Sequence, residues 1–175
     1  MKLTLETERL LLRPFSPDDA QAMFDGWAND PEVTRYVTWG PHGTVETTRA
    51  LLSYWIREYE KPERLNFAIE LKADGRLIGG IDVVGYLGGV KGTPVIGYAL
   101  SKAHWNHGYM TEACQRLLDH LFSLGYKEVR IDAMPENTGS VRVIEKCGGQ
   151  FLCAETEERP LKGDRVLVNR YVVKR

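Results

Sequence analysis

The sequence predicts an α/β domain built on a mixed sheet. Three observations carry this. Residues 108–124 hold one apolar stripe (Ala113, Cys114, Leu117, Leu118, Leu121 and Phe122) at helical spacing, ended by Gly125. Two strand–helix units follow one another, from Val95–Leu100 into that helix and from Val129–Ala133 into a shorter one. Strand-like segments stand before and after them.

Taken in order, Leu5 to Phe15 reads as a strand, with Leu10 and Leu12 alternating against Arg9, Leu11 and Arg13. Ser16-Pro17-Asp18-Asp19 starts a helix, since Ser16 suits the cap, Pro17 the first position and the acids the positive end. Asn29-Asp30-Pro31 breaks it, and residues 32–43 read as irregular and aromatic. Leu51, Leu52, Trp55, Ile56 and Tyr59 mark a helix from Val45 to Glu60. Asn66–Leu71 and Arg76–Val84 read as strands joined by the turn Ala73-Asp74-Gly75. Tyr86 to Pro94 reads as a glycine-rich loop, and Pro94 to Ser101 as the next strand. After the long helix come a strand (Glu128–Ala133) and a short helix from Asn137 or Thr138 to Gly148-Gly149. Two closing strands (Gln150–Glu157, Arg165–Val173) read as antiparallel.

A chain of 175 residues with 43% hydrophobic and 27% charged residues fits one domain with one sizeable core. With 23 basic and 24 acidic residues, no basic excess supports a nucleic-acid partner. No segment has the length of a membrane span, and the polar, alternating start lacks a signal core, so a cytoplasmic protein is expected. The three cysteines, Cys114, Cys147 and Cys153, form no C-x-x-C pair and read as buried thiols. His42, His104, His107 and His120 show no ligand spacing, so no metal is expected.

The segment His104-Trp105-Asn106-His107-Gly108-Tyr109-Met110-Thr111 opens the long helix. A helix start exposes unpaired N–H groups and partial positive charge, and Gly108 lets an anion approach the backbone. A plain strand–turn–helix explains these residues equally well. The second unit, where Asn137-Thr138-Gly139-Ser140 opens a helix after a strand, favours a ligand cleft at the two strand ends.

Further motifs are Glu6-Thr7-Glu8-Arg9-Leu10-Leu11-Leu12-Arg13, Trp39-Gly40-Pro41, Ile96-Gly97-Tyr98 and Glu145-Lys146-Cys147-Gly148. Together with the two helix starts, they make the chain resemble the GCN5-related N-acetyltransferase (GNAT) superfamily, in the branch that acetylates ribosomal-protein N-termini and related substrates. The resemblance runs from about Glu6 to Tyr171. It implies a single domain over 1–175, with its core at about 6–171. It also implies a mostly antiparallel sheet flanked by helices, with a splayed parallel strand pair forming the cofactor cleft. Acetyl-coenzyme A is the implied acyl donor and an amine, on a small molecule or a peptide N-terminus, the acceptor. A homodimer is a candidate assembly.

Residue by residue, the family loop Gln/Arg-x-x-Gly-x-Gly/Ala falls on Trp105–Met110. It keeps Gly108 and departs at Trp105 and Met110. Cofactor contacts are expected from Asn106, His107, Gly108, Tyr109, Met110 and Thr111, chiefly through backbone amides. His107 stands where lysine is frequent, which implies pH-dependent charge compensation. Tyr98, Ala99 and Leu100 match the strand that pairs with the pantetheine arm, and Asn137 matches the asparagine beside that arm. The tyrosine proton donor of many members falls on Ile144, and the serine assigned that role in this branch falls on Ser140. An aspartate usual before the last strand falls on Leu167.

Direct attack on a thioester needs a neutral amine, an oxyanion donor and a leaving thiolate, and no enzyme nucleophile. Glu70 and Asp82 are the candidate bases, each also readable as a solvated strand-face acid. Glu112, in the first helical turn, reads as structural. Tyr36, Trp39 and Tyr86 are candidates for an acceptor wall or for lid packing. A non-catalytic acyl-coenzyme A binding or sensing module is the alternative. A dinucleotide oxidoreductase is disfavoured, because no G-x-G-x-x-G follows a first strand.

Overall fold

The computed structural model describes residues 3–89 and 92–175. Eight strands form one sheet in the order β1-β2-β3-β4-β5-β6-β8-β7. They are β1 (Leu5–Glu6), β2 (Leu10–Arg13), β3 (Asn66–Leu71), β4 (Leu77–Leu87), β5 (Thr93–Leu100), β6 (Glu128–Ala133), β7 (Gln150–Arg159) and β8 (Asp164–Lys174). Every neighbouring pair is antiparallel except β5–β6. That parallel pair is in register only at Val95↔Arg130 and Ile96↔Ile131. Beyond Ile96 the two strands part, and the edge of β5 from Gly97 to Leu100 faces an opening.

The first expected strand is two. Leu5 and Glu6 fold back onto Leu12 and Leu11 through Thr7-Glu8-Arg9. Leu5, Leu10 and Leu12 all enter the core, so the alternation survives the turn. The next helix is a composite: a 3-10 turn (Pro17–Asp19), α1 (Ala20–Met23) and a π turn (Phe24–Ala28). Asp30 caps a one-turn helix, α2 (Pro31–Thr34), by accepting from Glu32 N, within a stretch expected to be irregular. α3 (Val45–Glu58) is capped by Thr44. β4 and β5 reach further into the glycine-rich segment than their patterning suggests, because cross-strand pairing continues to Leu87↔Thr93. Val90 and Lys91 of that expected loop lie outside the described residues. α4 (Tyr109–Ser123) and α5 (Thr138–Lys146) complete the fold.

Strand alternation divides the core between the two faces. Phe67, Ile69, Ile78, Ile81, Val83 and Ile96 meet the α4 stripe of Ala113, Cys114, Leu117, Leu118 and Leu121 on one face. Ala68 and Phe15 meet Ala20, Met23, Trp27 and Leu52 of the first helices on the other. Cys114 and Cys147 are buried as expected, whereas Cys153 is exposed, since it lies on the edge strand β7. Among the described residues no helix is long and apolar enough to cross a membrane.

Candidate active site

The opening between β5 and β6 leads into two cavities that share one wall. The first, about 510 Å³, runs along the start of α4, the end of β5 and the start of α5. The second, about 850 Å³, lies over the other face of β4 and β5 and reaches β8. Tyr36, Val37, Tyr98, Ala99, Asn137 and Ser140 line both.

The smaller cavity holds nine of the ten expected cofactor residues: Tyr98, Ala99, Leu100, Asn106, Gly108, Tyr109, Met110, Thr111 and Asn137. Its floor is built by backbone. Gly108 sits at φ +79° as the cap residue of α4 and Asn106 at φ +63°, both left-handed. Alternating handedness of this kind turns successive N–H groups toward one point, an anion-binding concavity. No side chain caps α4. The N–H groups of its first turn therefore remain available, with the positive end of a 15-residue helix behind them. Met110 is buried in the core and lines the cavity.

A latch from the β1–β2 turn holds this loop. The Arg9 guanidinium donates to Glu112 Oε2 at 2.7 Å and to the His107 carbonyl at 3.0 Å, and lies 4.5 Å from the Tyr109 ring centre. Thr7 Oγ1 and Arg9 N donate to Glu112 Oε1. These donors hold the Glu112 carboxyl below its usual range against the opposing effect of burial. Glu112 is the structural acid its position suggests. Trp105 Nε1 donates to the Leu100 carbonyl at 2.8 Å, tying the loop to the end of β5.

His107 departs from expectation. Its ring stacks on Tyr109 at 5.6 Å, its Nδ1 lies 2.7 Å from the Trp105 carbonyl, and it lines neither cavity. Fixed cations stand on the cleft wall instead: Arg142 and Lys146, one turn apart on α5. Sequence reasoning passed over both. The signal was there, since i and i+4 on a helix beginning at Thr138 share a face.

On α5, Asn137 is the cap, its Oδ1 accepting from Ser140 N at 3.2 Å. Asn137 is thus a helix cap that also lines both cavities. The Ser140 hydroxyl lies 2.8 Å from the Tyr98 hydroxyl. Burial pushes the Tyr98 phenol well above its usual range, partly countered by Ser140. Ile144 is fully buried in the core.

Of the candidate bases, only Asp82 reaches a cavity. Desolvation pushes its carboxyl up to about 7, with Arg64 acting in the opposite direction. Its cross-strand neighbours are Asn66 on β3 and Gly97 on β5. The bare Gly97 keeps this ground open: a Cβ there would fall 2.6 Å from Val84 Cγ1 and 3.7 Å from Asp82 Oδ1. Glu70 lines neither cavity. It accepts from Arg13 Nε at 2.6 Å, and Arg13 also binds Asp19, so Glu70 belongs to a structural ion-pair network.

Tyr36 and Trp39 line the larger cavity. Tyr86 does not. It faces the α4 side of the sheet, packs near Tyr126 at 6.0 Å and donates to the Glu63 carbonyl. The bulge between Val83 and Gly85 re-aims the residues that follow, which a strict alternation misses.

A splayed parallel strand pair thus opens beside an uncapped, glycine-started helix. The chain matches the model of the acetyltransferase (GNAT) domain over residues 9–150. It is 33% identical over 151 residues to the uncharacterized N-acetyltransferase p20 of Bacillus licheniformis, covering 84% of this chain and 82% of that protein. The crystal structure of a GNAT-family acetyltransferase from Bacillus anthracis superposes with a TM-score of 0.84 at 27% identity, covering 98% of each chain. The ribosomal L7/L12 alpha-N-protein acetyltransferase RimL, in complex with coenzyme A, shares the fold with a TM-score of 0.85 at 18% identity over 98% of each chain. The chain belongs to the GNAT acetyltransferase family.

Proposed function

We propose that this acetyltransferase uses acetyl-coenzyme A to acetylate a primary amine by direct attack. The observation that carries the reading is the meeting of two cavities at Tyr98, Ala99 and Ser140, with an anion cradle on one side and a carboxyl poised near neutrality on the other. The residues fit the donor. The left-handed turn at Gly108 and the uncapped α4 suit a pyrophosphate. Arg142 and Lys146 add fixed positive charge along the same cleft. The β5 edge from Gly97 to Ala99, which β6 leaves unpaired, suits the amide groups of the pantetheine arm, as an added strand would.

The roles follow from chemistry. Asp82 accepts a proton from the entering ammonium, directly or through water, and a base near pH 7 is matched to that task. The neutral nitrogen forms a bond to the thioester carbonyl carbon. A β5 backbone N–H stabilises the oxyanion. The C–S bond breaks as the carbonyl re-forms, and the second proton of the nitrogen ends on the thiolate. Ser140, beside the Tyr98 hydroxyl at 2.8 Å, relays that proton, giving its hydroxyl hydrogen to the sulfur and regaining one from the nitrogen. Tyr36 and Trp39 wall the acceptor side.

The test is release of free thiol from acetyl-coenzyme A across a panel of amines and N-terminal peptides, with amide product followed by mass. Acceptor-dependent release supports the reading. Tight binding of acetyl-coenzyme A with no release across the panel would leave a non-catalytic binding module instead.

A further inference from the structure

The larger cavity is distinguished by what its wall leaves free. Phe15, Tyr36, Trp39 and Trp55 give it an aromatic side. Two arginines reach it, and both are consumed. Arg159 gives Nε and Nη2 to Asp164, and Nη1 to the Arg35 and Val37 carbonyls. Arg170 gives Nε to Glu155, Nη1 to Asp132 and Nη2 to Glu157. Asp164 neutralises Arg159, and Arg170 stands among three carboxylates, so neither guanidinium presents an uncompensated positive charge to a ligand carboxylate or phosphate. Around Arg170 the three acids meet one further base, Arg130 on Asp132, which leaves this cluster with an excess of negative charge.

The neighbouring cations do not reverse that sign. Lys162 is held on the Thr34 and Arg35 carbonyls and does not line the cavity, and burial holds His42, beside Thr48 Oγ1, below its usual range. Arg64 acts on Asp82 but does not line the cavity.

An independent feature lies on the same wall. Asn66 is only 2% exposed, and its Nδ2 is buried with no partner. It faces Asp82 across β3 and β4. A buried amide donor without an acceptor is costly and calls for an oxygen brought from outside.

We infer that the acceptor is a cationic amine on an apolar, preferably aromatic body that carries no carboxylate or phosphate, and that Asn66 positions its nitrogen end with Asp82. This rests on the acetyltransferase reading above. The ring packs on the aromatic side, and the ammonium is drawn to the negative floor. Asn66 Nδ2 donates to a water or hydroxyl oxygen that bridges to the Asp82 carboxylate. An acceptor with a carboxylate next to its amine meets acids on the cavity wall, where the described cations are paired with carboxylates, while Arg64, whose Nε has no partner, does not line the cavity.

The experiment compares phenethylamine with L-phenylalanine, which differ by one carboxylate, beside a short peptide with a free N-terminus. The full chain and acetyl-coenzyme A are used, and thiol release is read. The expected result is a kcat/KM at least about 30-fold higher for phenethylamine than for phenylalanine. Glu157→Gln, which loosens one carboxylate from Arg170, narrows that ratio. Asn66→Ala raises KM for phenethylamine several-fold with a smaller change in kcat. Equal or better use of phenylalanine, or turnover of the peptide alone, overturns the inference. If no amine is acetylated, calorimetry of the same pair on the coenzyme A-loaded chain decides. Binding of phenethylamine alone sustains the acceptor class and sinks the transferase reading. Equal binding, or none, overturns the acceptor class itself.

Discussion

The two helix starts at the cleft solve the same problem in opposite ways. α5 begins conventionally: Asn137 lends its side chain to Ser140 N, so that one first-turn N–H is satisfied from within the protein. α4 begins on a left-handed glycine with no capping side chain, after a left-handed asparagine. A capped start fixes a side chain, here the Ser140 hydroxyl, in one place. An uncapped start keeps its N–H groups for a ligand, and the surrounding structure must hold the strained turn in shape. The Arg9–Glu112 latch and the Trp105 bond to Leu100 do that for α4.

The comparison breaks most sharply at Gly108. Gly108→Asp forces a side chain into a left-handed turn and sets a carboxylate where the pyrophosphate belongs. Affinity for acetyl-coenzyme A should fall by about 100-fold or more, on the order of 3 kcal/mol. Unchanged affinity by calorimetry would sink the assignment of α4 as the phosphate cradle.

Asp82→Asn comes next and probes the larger cavity, which the start of α4 does not reach. Turnover should drop by about 100-fold, the range for loss of a general base. In the unaltered protein, kcat/KM should rise with pH through about 7 as Asp82 ionises. Stability carries the opposite sign. The folded chain holds this proton to about pH 7, against an ordinary aspartate value of 3.8. Between those values it binds more protons than the unfolded chain, so stability falls as pH rises across the window. Removing the charge should therefore stabilise the fold by about 4 kcal/mol at pH 8, read by denaturant titration. A variant both inactive and less stable would argue that Asp82 is structural.

On α5 the effects are smaller and separable. Ser140→Ala should cut kcat by about tenfold with coenzyme affinity retained, the mark of an interaction made in the transition state. Full activity would remove Ser140 from the mechanism. Asn137→Ala should cost about 1 kcal/mol of stability through the lost cap, seen as a lower Tm. The smallest effect is expected at the latch. Arg9→Ala should weaken coenzyme binding several-fold while changing global stability by about 1 kcal/mol or less, since its ion pair with Glu112 is half-exposed. A large loss of stability with unchanged coenzyme affinity would show that the latch serves the fold and not the loop.

Much of this was legible in the sequence because it rests on local chemistry. Asn66–Leu71 and Glu128–Ala133 are strands at the positions their patterning predicts, and the α4 stripe is buried as its spacing requires. Gly108 and Asn137 stand at the helix starts they announce. The errors share a cause. Glu70 and Asp82 lie on the same sheet face with equal claims by alternation, yet Arg13 occupies one and the cavity receives the other. Tyr86 was displaced by a bulge, and the N-terminal strand is divided by a turn whose purpose, the Arg9 latch, lies 103 residues along the chain from its partner.

The sequence by itself determined the elements, the glycine-started helix and the capped one, because propensity, capping and periodicity act over a few residues. Tertiary structure alone decided which carboxyl sits at the cleft, that Tyr98 meets Ser140, that Arg142 and Lys146 line the smaller cavity, and that both arginines of the larger cavity are paired with carboxylates. Each of these depends on charge and burial contributed by distant segments, and no local pattern records which segments will meet.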